Sequence, residues 1–192
     1  MIHSFSTHAS FLAAVECLTM DDSFTLLKQP QCEEVKFSDV EQEIDMEDIG
    51  LKFIIPAGAV SENRPTELSV YPVACGNVTM PADCASHSPL YIVKPVQMEK
   101  EIKIRVEHNC NLESEEDCDN MVFLGVDSQP QPDGTYVLKQ IKHAKIVFNK
   151  SVQFGEIILK ELQPLKIGRK CTPNNKGMKN VCTYLRSGLA VP

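Results

Sequence analysis

The residues best suited to chemistry are a histidine and a cysteine two positions apart, His108 and Cys110. An imidazole base that removes the proton of a nearby thiol is an arrangement used in nucleophilic catalysis. Closeness in sequence does not give the geometry for attack, and no oxyanion-hole motif accompanies the pair. We therefore expect His108 to be a capping or hydrogen-bonding residue at a strand end, and the sequence predicts no catalytic residue.

Two acidic runs and one Cys-His spacing are the candidates for metal binding. Residues 113–119 lack the turn glycine and the ligand spacing of a calcium loop. Both this run and residues 41–48 are most simply interpreted as solvated loops. Residues 84–87 read Cys-Ala-Ser-His, but no second ligand pair lies near them and no Cys-x-x-Cys occurs. The sequence therefore predicts no metal and no cofactor.

The eight cysteines leave two compartments open. An even number invites a disulfide framework, but the cysteine content is below that of a disulfide-stapled domain. Free thiols in a reducing compartment are the default, which predicts a cytoplasmic protein. In the alternative, the chain is an extracellular or cell-surface domain with local disulfides and N-glycans. The bridges would then pair Cys75 with Cys84 and Cys110 with Cys118. The glycan acceptors would be Asn77 and Asn149.

Composition sets further limits on function. The chain has 192 residues, of which 43% are hydrophobic, enough for one domain with tails. The net charge of -7 argues against binding to a phosphate backbone, which needs a basic face. No run approaches the ~20 apolar residues that span a bilayer, and the short apolar patch at residues 11–15 lacks the basic flank of a signal peptide. We expect neither nucleic-acid binding nor membrane insertion.

The elements that must position any site are short strands. The clearest alternation runs over residues 102–107, where three β-branched residues alternate with three charged ones. It predicts an antiparallel strand with Ile102, Ile104 and Val106 on a core and the charged residues in water. Further strands are predicted at 32–37, 51–55, 67–73, 90–93, 121–126, 136–140, 145–148 and 156–162. Short strands separated by regular turn signals, with little helix, indicate an all-β antiparallel β-sandwich.

This pattern predicts three regions along the chain. Residues 1–29 form an N-terminal extension that can dock on the domain. Residues 30–162 form the β-sandwich. Residues 163–192 are basic and without visible periodicity, which predicts a loosely ordered C-terminal tail.

One stretch carries a more specific signal. Gly50 precedes an apolar strand that ends in Ile55-Pro56-Ala57-Gly58-Ala59. Pro56 closes the strand because proline has no N–H to donate to a ladder. Gly58 can adopt the positive φ that the following turn needs.

This stretch resembles the opening motif of the ZU-five domain family, which has a glycine, an alternating apolar strand and Ile-Pro-x-Gly-Ala. The strand that leads into His108 resembles a later family strand that ends in histidine, with Glu101 in place of the usual proline. Residues 90–93 resemble the strand before it. The resemblance covers about residues 30–162.

The resemblance implies a β-sandwich that serves as a protein-interaction or scaffold module. The family occurs in zona-occludens proteins, uncoordinated-five netrin receptors, ankyrins and death-domain adaptors, and the domain of ankyrin binds spectrin. Some adaptors cleave themselves at a His-Phe-Ser near the domain end. The nearest position here is Gln153-Phe154-Gly155, which supplies neither base nor nucleophile, so the resemblance implies a module without self-cleavage. No companion domain has room after residue 165, so we expect a module that stands alone, a fragment or a short gene product.

Overall fold

The alternating segments pair into two sheets in the computed structural model, which describes residues 25–62, 65–94, 96–126 and 131–171. The strands are β1 (Thr25–Leu26), β2 (Gln31–Val35), β3 (Gln42–Met46), β4 (Leu51–Ile55), β5 (Thr66–Cys75), β6 (Val78–Thr79), β7 (Cys84–Ser86), β8 (Leu90–Val93), β9 (Gln97–Glu107), β10 (Met121–Val126), β11 (Tyr136–Gln140), β12 (Lys145–Phe148), β13 (Phe154–Glu161) and β14 (Leu165–Lys170). A 3-10 turn spans Glu47–Ile49, and the short helix α1 spans Glu115–Asp119.

The two sheets form an all-β sandwich. The five-stranded sheet has the order β12-β13-β9-β4-β3. The nine-stranded sheet has the order β1-β5-β8-β14-β10-β11-β6, with β2 also on β5 and β7 also on β14. Among the described residues the strand pairs are antiparallel, except that β6 runs parallel to β11.

The core lies between the sheets, where strands such as β9 bury every second side chain. Ile102, Ile104 and Val106 on β9 are at most 1% exposed, as their alternation predicts. Ile104 lies opposite Phe53 on β4 and Ile157 on β13, so the centre of the five-stranded sheet presents a continuous apolar surface. Burial of each such side chain contributes about 1.5–3 kcal/mol relative to exposure.

The nine-stranded sheet is apolar on its second face as well. Val122 and Leu124 of β10 belong to a separate cluster with Leu90 and Ile92 of β8. All six residues of β10 are therefore buried. A strand buried on both faces is a continuous apolar run rather than an alternating one.

The prediction of a loosely ordered C-terminal tail from residue 163 is wrong for residues 165–170. Leu165–Lys170 is strand β14, which lies between β8 and β10, and Leu165 and Ile167 are fully buried. The basic residues of this segment suggested an exposed tail. Lys166 is nevertheless buried, and its ammonium group donates to the carbonyl oxygen of Ser88 at 2.5 Å. Residues 172–192 lie outside the described residues.

The N-terminal boundary of the domain also differs from the predicted one. Thr25–Leu26 pairs with the end of β5, so the ordered domain includes residues before the predicted start at 30. The apolar patch at 11–15 lies outside the described residues.

The two acidic runs are ordered, which corrects their interpretation as loops. Residues 41–48 contain β3 and most of the 3-10 turn. Residues 113–119 contain α1, which begins with a capping box: Ser114 Oγ accepts from the Asp117 N–H at 3.1 Å, and Asp117 Oδ2 accepts from the Ser114 N–H at 3.0 Å. Residues 76–88, which lie between the predicted strands at 67–73 and 90–93, contain two further short strands, β6 and β7.

Candidate binding face

The outer face of the five-stranded sheet is the candidate functional surface. Neighbouring strands place side chains opposite one another, so the residues meet in rows across the sheet. One such row consists of Asp45, Lys52, Arg105 and Glu156. The charge along this row changes from negative to positive and back, so that each cation lies beside a carboxylate.

Short ion pairs hold the cations of this row. Lys52 Nζ lies 2.6 Å from Asp45 Oδ2 and 3.4 Å from Glu43 Oε2. The hydrogen bond to Asp45 is the largest of the causes that raise the pKa of Lys52. Arg105 Nε donates to Glu156 Oε1 at 2.7 Å. Water screens such pairs, so they orient the side chains of the face more than they stabilise the fold.

Apolar side chains lie among these charges. Phe154 and Ile158 lie on the same side of β13 as Glu156, two residues before and after it, and both are half-buried. Val147 lies opposite Glu156 on β12. The guanidinium carbon of Arg105 lies 5.1 Å from the centroid of the Phe154 ring, a cation–π contact. Accessible apolar groups beside oriented charges are what a protein-recognition surface presents.

A depression of about 280 Å³ lies at one corner of this face. Its lining consists of Asp45, Glu47, Gly50, Leu51, Lys52, Arg105, Glu107 and Phe154. The volume is just below the range of about 300–1,000 Å³ that is typical of small-molecule pockets. The depression is therefore at the small end of the volumes that such pockets have.

The two glycines of the Gly50–Ala59 motif shape the ends of β4. Gly50 has φ of +70° and follows the 3-10 turn, and its N–H donates to the Glu47 carbonyl at 3.0 Å. A Cβ at this position would lie 2.9 Å from Glu107 Oε2, so glycine also admits Glu107 to the depression. Gly58 has φ of +67°, the conformation expected for its turn, and its N–H donates to the Ser38 carbonyl at 2.9 Å.

The other residues of that motif build the core rather than the face. Ile55 is fully buried at the end of β4 and Ala59 is 2% exposed. Pro56 is half-buried and directly follows β4, where a residue without an N–H does not interrupt the ladder. The motif thus fixes where the strand stops and how the chain turns over the core.

The ring of His108 contacts the backbone N–H of Cys110 rather than its thiol. His108 is 4% exposed, and its Nδ1 accepts a hydrogen bond from the Cys110 N–H at 3.3 Å. Its own N–H donates to the Gln153 carbonyl at 2.9 Å. Burial is the largest cause that raises the pKa of the Cys110 thiol. The thiolate needed for attack is therefore disfavoured at neutral pH.

An arginine on β14 joins this region to α1, and sequence reasoning missed it. Arg169 pairs with Asp117 and also donates to Cys110 Sγ at 3.6 Å. Its Nε is buried without a partner among the described residues. The Ser-x-x-Asp spacing at 114–117 could have predicted the start of α1, but no sequence signal pairs residues 52 positions apart.

The described cysteines are free thiols. Cys84, Cys110 and Cys118 are buried and no bond joins Cys110 to Cys118, while Cys32 is exposed. Burial, with a smaller effect of Asp83, raises the pKa of Cys84 to about 11. The side chain of Cys75 lies outside the described part of the chain.

Residue 155, which lies in the segment that the sequence resemblance compares with a self-cleavage site, has no room for a nucleophilic side chain. Gly155 is buried on β13 opposite Phe148 of β12. A Cβ at residue 155 would lie 2.2 Å from Phe148 Cε1, so a serine or cysteine side chain does not fit while that ring stays in place.

The two glycan acceptors of the extracellular alternative differ in their surroundings. Asn77 Nδ2 donates to the Gly134 carbonyl at 2.9 Å, and its Oδ1 accepts from Thr135 Oγ1 at 3.2 Å. A glycan on Asn77 would compete with these bonds, which close the turn before β11. Asn149 is exposed between β12 and β13.

Neither a metal site nor a membrane span is found in the described part of the chain. No group of three or more His, Cys, Asp or Glu side chains there could hold a metal ion. No helix there is long and apolar enough to cross a bilayer.

Comparison with known proteins gives no family assignment. A scan against protein-family models finds no match to the sequence, and a search of curated proteins finds no significant match.

Proposed function

We propose that the chain is a non-enzymatic protein-interaction module of the ZU-five type, a cytoplasmic scaffold domain that binds another protein and does not cleave itself. The observation that carries this proposal is the outer face of the five-stranded sheet. There, Phe154 and Ile158 lie half-buried among ion pairs that already hold Lys52 and Arg105 in place. A surface whose side chains are ordered before binding loses less conformational entropy on association.

The charge of the chain favours a protein over a nucleic acid as the partner. The net charge is -7, and among the described residues the depression contains two carboxylates, Glu47 and Glu107, without an ion-pair partner. A phosphate backbone would be repelled by such a corner, whereas a protein can present a complementary charge.

Two observations support a module without catalytic activity. The contact between His108 and Cys110 uses the backbone N–H and leaves the thiol with a raised pKa. Gly155 offers no hydroxyl or thiol, and Phe148 fills the space that either would need. The positive φ values of Gly50 and Gly58 explain why the motif that resembles the ZU-five family needs glycine at these positions.

The test is affinity purification from native tissue with three forms of the protein. Ile158→Glu places a charge in the middle of the face, between the opposed Lys103 and Lys145. Val137→Glu is the matched control, because Val137 is a half-buried β-branched residue on β11 of the other sheet. Thermal unfolding of all three forms establishes that both variants are folded.

We expect one protein that is retained by the wild type and by Val137→Glu and lost with Ile158→Glu. Once that protein is identified and purified, its Kd should rise at least about tenfold with Ile158→Glu, which is ~1.4 kcal/mol, and stay unchanged with Val137→Glu. Equal affinities of all three forms would exclude this face as the binding surface. Measurable turnover of any substrate would contradict the non-enzymatic assignment.

A further inference from the structure

The five-stranded sheet ends in a strand that has a neighbour on one side only. β3 is last in the order of this sheet, and among the described residues it pairs with β4 alone. A strand at the edge of a sheet presents unpaired N–H and C=O groups, which can hydrogen-bond to another extended chain. The register of the sheet determines which groups of β3 these are.

The N–H and C=O groups of Glu43 and Asp45 point away from the sheet. The Glu107 N–H donates to the Gly50 carbonyl at 2.9 Å, so Gly50 directs its carbonyl towards β9. Successive residues of a strand direct these groups to alternate sides, so the first, third and fifth residues of β4 bond to β3. Their register partners are the fifth, third and first residues of β3. The second and fourth residues of β3, Glu43 and Asp45, therefore form the free edge.

Negative charge surrounds this edge. Residues 41–48 include five carboxylate side chains, and all five are exposed. Lys52 Nζ is shared between Asp45 and Glu43, at 2.6 and 3.4 Å. Lys28 Nζ donates to a main-chain carbonyl at the end of this segment. The carboxylates outnumber the cations beside them, so an added strand is stabilised by basic side chains next to Glu43 and Asp45.

The other face of β3 is apolar. Ile44 is half-buried and packs against the core, and Met46 is 2% exposed. An apolar side chain beside Ile44 would cover the part of it that solvent still reaches. Because side chains alternate between the two faces of a strand, the sequence that fits has basic residues beside Glu43 and Asp45 and an apolar residue between them.

The same charges disfavour a second copy of this chain at the edge. In an antiparallel pair of two β3 strands centred on Ile44, Glu43 of one copy would lie opposite Asp45 of the other. Like charges that lie directly opposite one another are destabilising. Charged side chains on an edge strand are one means by which proteins avoid edge-to-edge association. The edge therefore favours a chain of opposite charge.

We propose that the free edge of β3 binds an extended segment of a partner protein in which basic and apolar residues alternate. The segment adds a strand to the sheet through main-chain hydrogen bonds to Glu43 and Asp45. It belongs to the partner of the proposed function and so rests on that function, but it contacts the edge of the sheet rather than Phe154 and Ile158 on its outer face.

NMR of the nitrogen-15-labelled full chain with a synthetic peptide of alternating lysine and valine, blocked at both ends, tests the edge. At a peptide concentration about ten times its Kd, only about one edge in eleven is free, so solvent exchange of the Glu43 and Asp45 amide hydrogens should slow about tenfold. The Ile44 amide, which bonds to β4, should be protected with and without the peptide. A peptide with glutamate in place of lysine should not bind.

Two substitutions at one position separate the main chain from the charge. Glu43→Pro removes the outward N–H and leaves the bonds between β3 and β4 in place, because proline is tolerated where the N–H of an edge strand faces solvent. Glu43→Gln is the matched control, which also lacks the charge but keeps the N–H. The peptide Kd of Glu43→Pro should exceed that of Glu43→Gln at least about fivefold, since a hydrogen bond is lost and the proline ring obstructs the added strand.

Ile158→Glu keeps the edge and the outer face distinguishable. Ile158 lies on β13, with β9 and β4 between it and β3, so this variant should keep the wild-type peptide Kd. Loss of peptide binding in Ile158→Glu would place the peptide on the outer face and overturn the proposal. Retained peptide binding together with an unchanged affinity for the native partner would refute the outer face alone.

The remaining outcomes decide the proposal directly. It is overturned if the lysine–valine peptide does not bind the wild type, if the glutamate–valine peptide binds equally well, or if bound peptide leaves exchange at Glu43 and Asp45 unchanged. Equal Kd values for Glu43→Pro and Glu43→Gln would also overturn it. The exchange measurement uses the wild type alone, so it decides the case in which Glu43→Pro does not fold.

Discussion

Gly155→Ala should destabilise the fold, because the phenyl ring of Phe148 occupies the space of the added methyl group. The Cβ would lie 2.2 Å from Cε1 and 2.8 Å from Cδ1 and Cζ of that ring. Phe148 cannot simply leave its place, since it stacks on Phe123 with ring centroids 5.3 Å apart and packs against the core.

The magnitude follows from two opposing effects. Overpacking of this kind costs about 1–3 kcal/mol. Replacing glycine within a strand returns roughly 0.5–1 kcal/mol of backbone entropy. We therefore expect a net loss of roughly 0–2.5 kcal/mol in the free energy of unfolding.

A double-mutant cycle in urea isolates the contact. Phe148→Leu alone destabilises by removing ring packing, but it also makes room at residue 155. Adding Gly155→Ala in that background should cost at least about 1 kcal/mol less than adding it to the wild type. If the two substitutions are additive, the steric explanation for glycine at this position is refuted.

Three further predictions test the core, the glycine motif and the thiols. Ile104→Ala should lower the free energy of unfolding by about 2–5 kcal/mol, while Glu101→Ala on the exposed part of the same strand should stay within about 0.5 kcal/mol, both measured by urea denaturation. Gly50→Ala should cost about 1–2 kcal/mol in the same assay because φ is +70° there, and a neutral result would show that the turn can relax. Iodoacetamide at about pH 8 should alkylate the exposed Cys32 in the native protein. Cys84, which is buried and whose pKa is raised to about 11, should stay unmodified until urea is added. Rapid alkylation of Cys84 in the native protein, measured by peptide mass spectrometry, would contradict its burial.

Local alternation was enough to predict the sandwich and the core side of its central strand. Ile102, Ile104 and Val106 are buried because a period of two places them on one side of a pleated strand. The same rule failed for β14, where Lys166 occupies a core-like position and is satisfied by the carbonyl oxygen of Ser88. A buried lysine of this kind depends on a residue 78 positions away, which a local pattern does not contain.

The candidate site was less accessible to sequence reasoning than the fold. The charged side of β9 was predicted, but an interface needs apolar groups beside it, and Phe154 and Ile158 lie on β13. The sequence of β13 has apolar residues on both of its faces, which indicates that its outer face is not purely solvated. The pairing of Arg105 with Glu156 depends on the register between β9 and β13, which alternation alone does not set.

Side-chain footprinting by hydroxyl radicals on the purified complex is the most direct test of the proposed binding face. Oxidation of Phe154 and Ile158 should fall when the partner protein is bound, while that of Tyr71, a half-buried residue on the nine-stranded sheet, should stay the same. Protection of Tyr71 with unchanged oxidation of Phe154 and Ile158 would place the partner on the other sheet and contradict the proposed binding face.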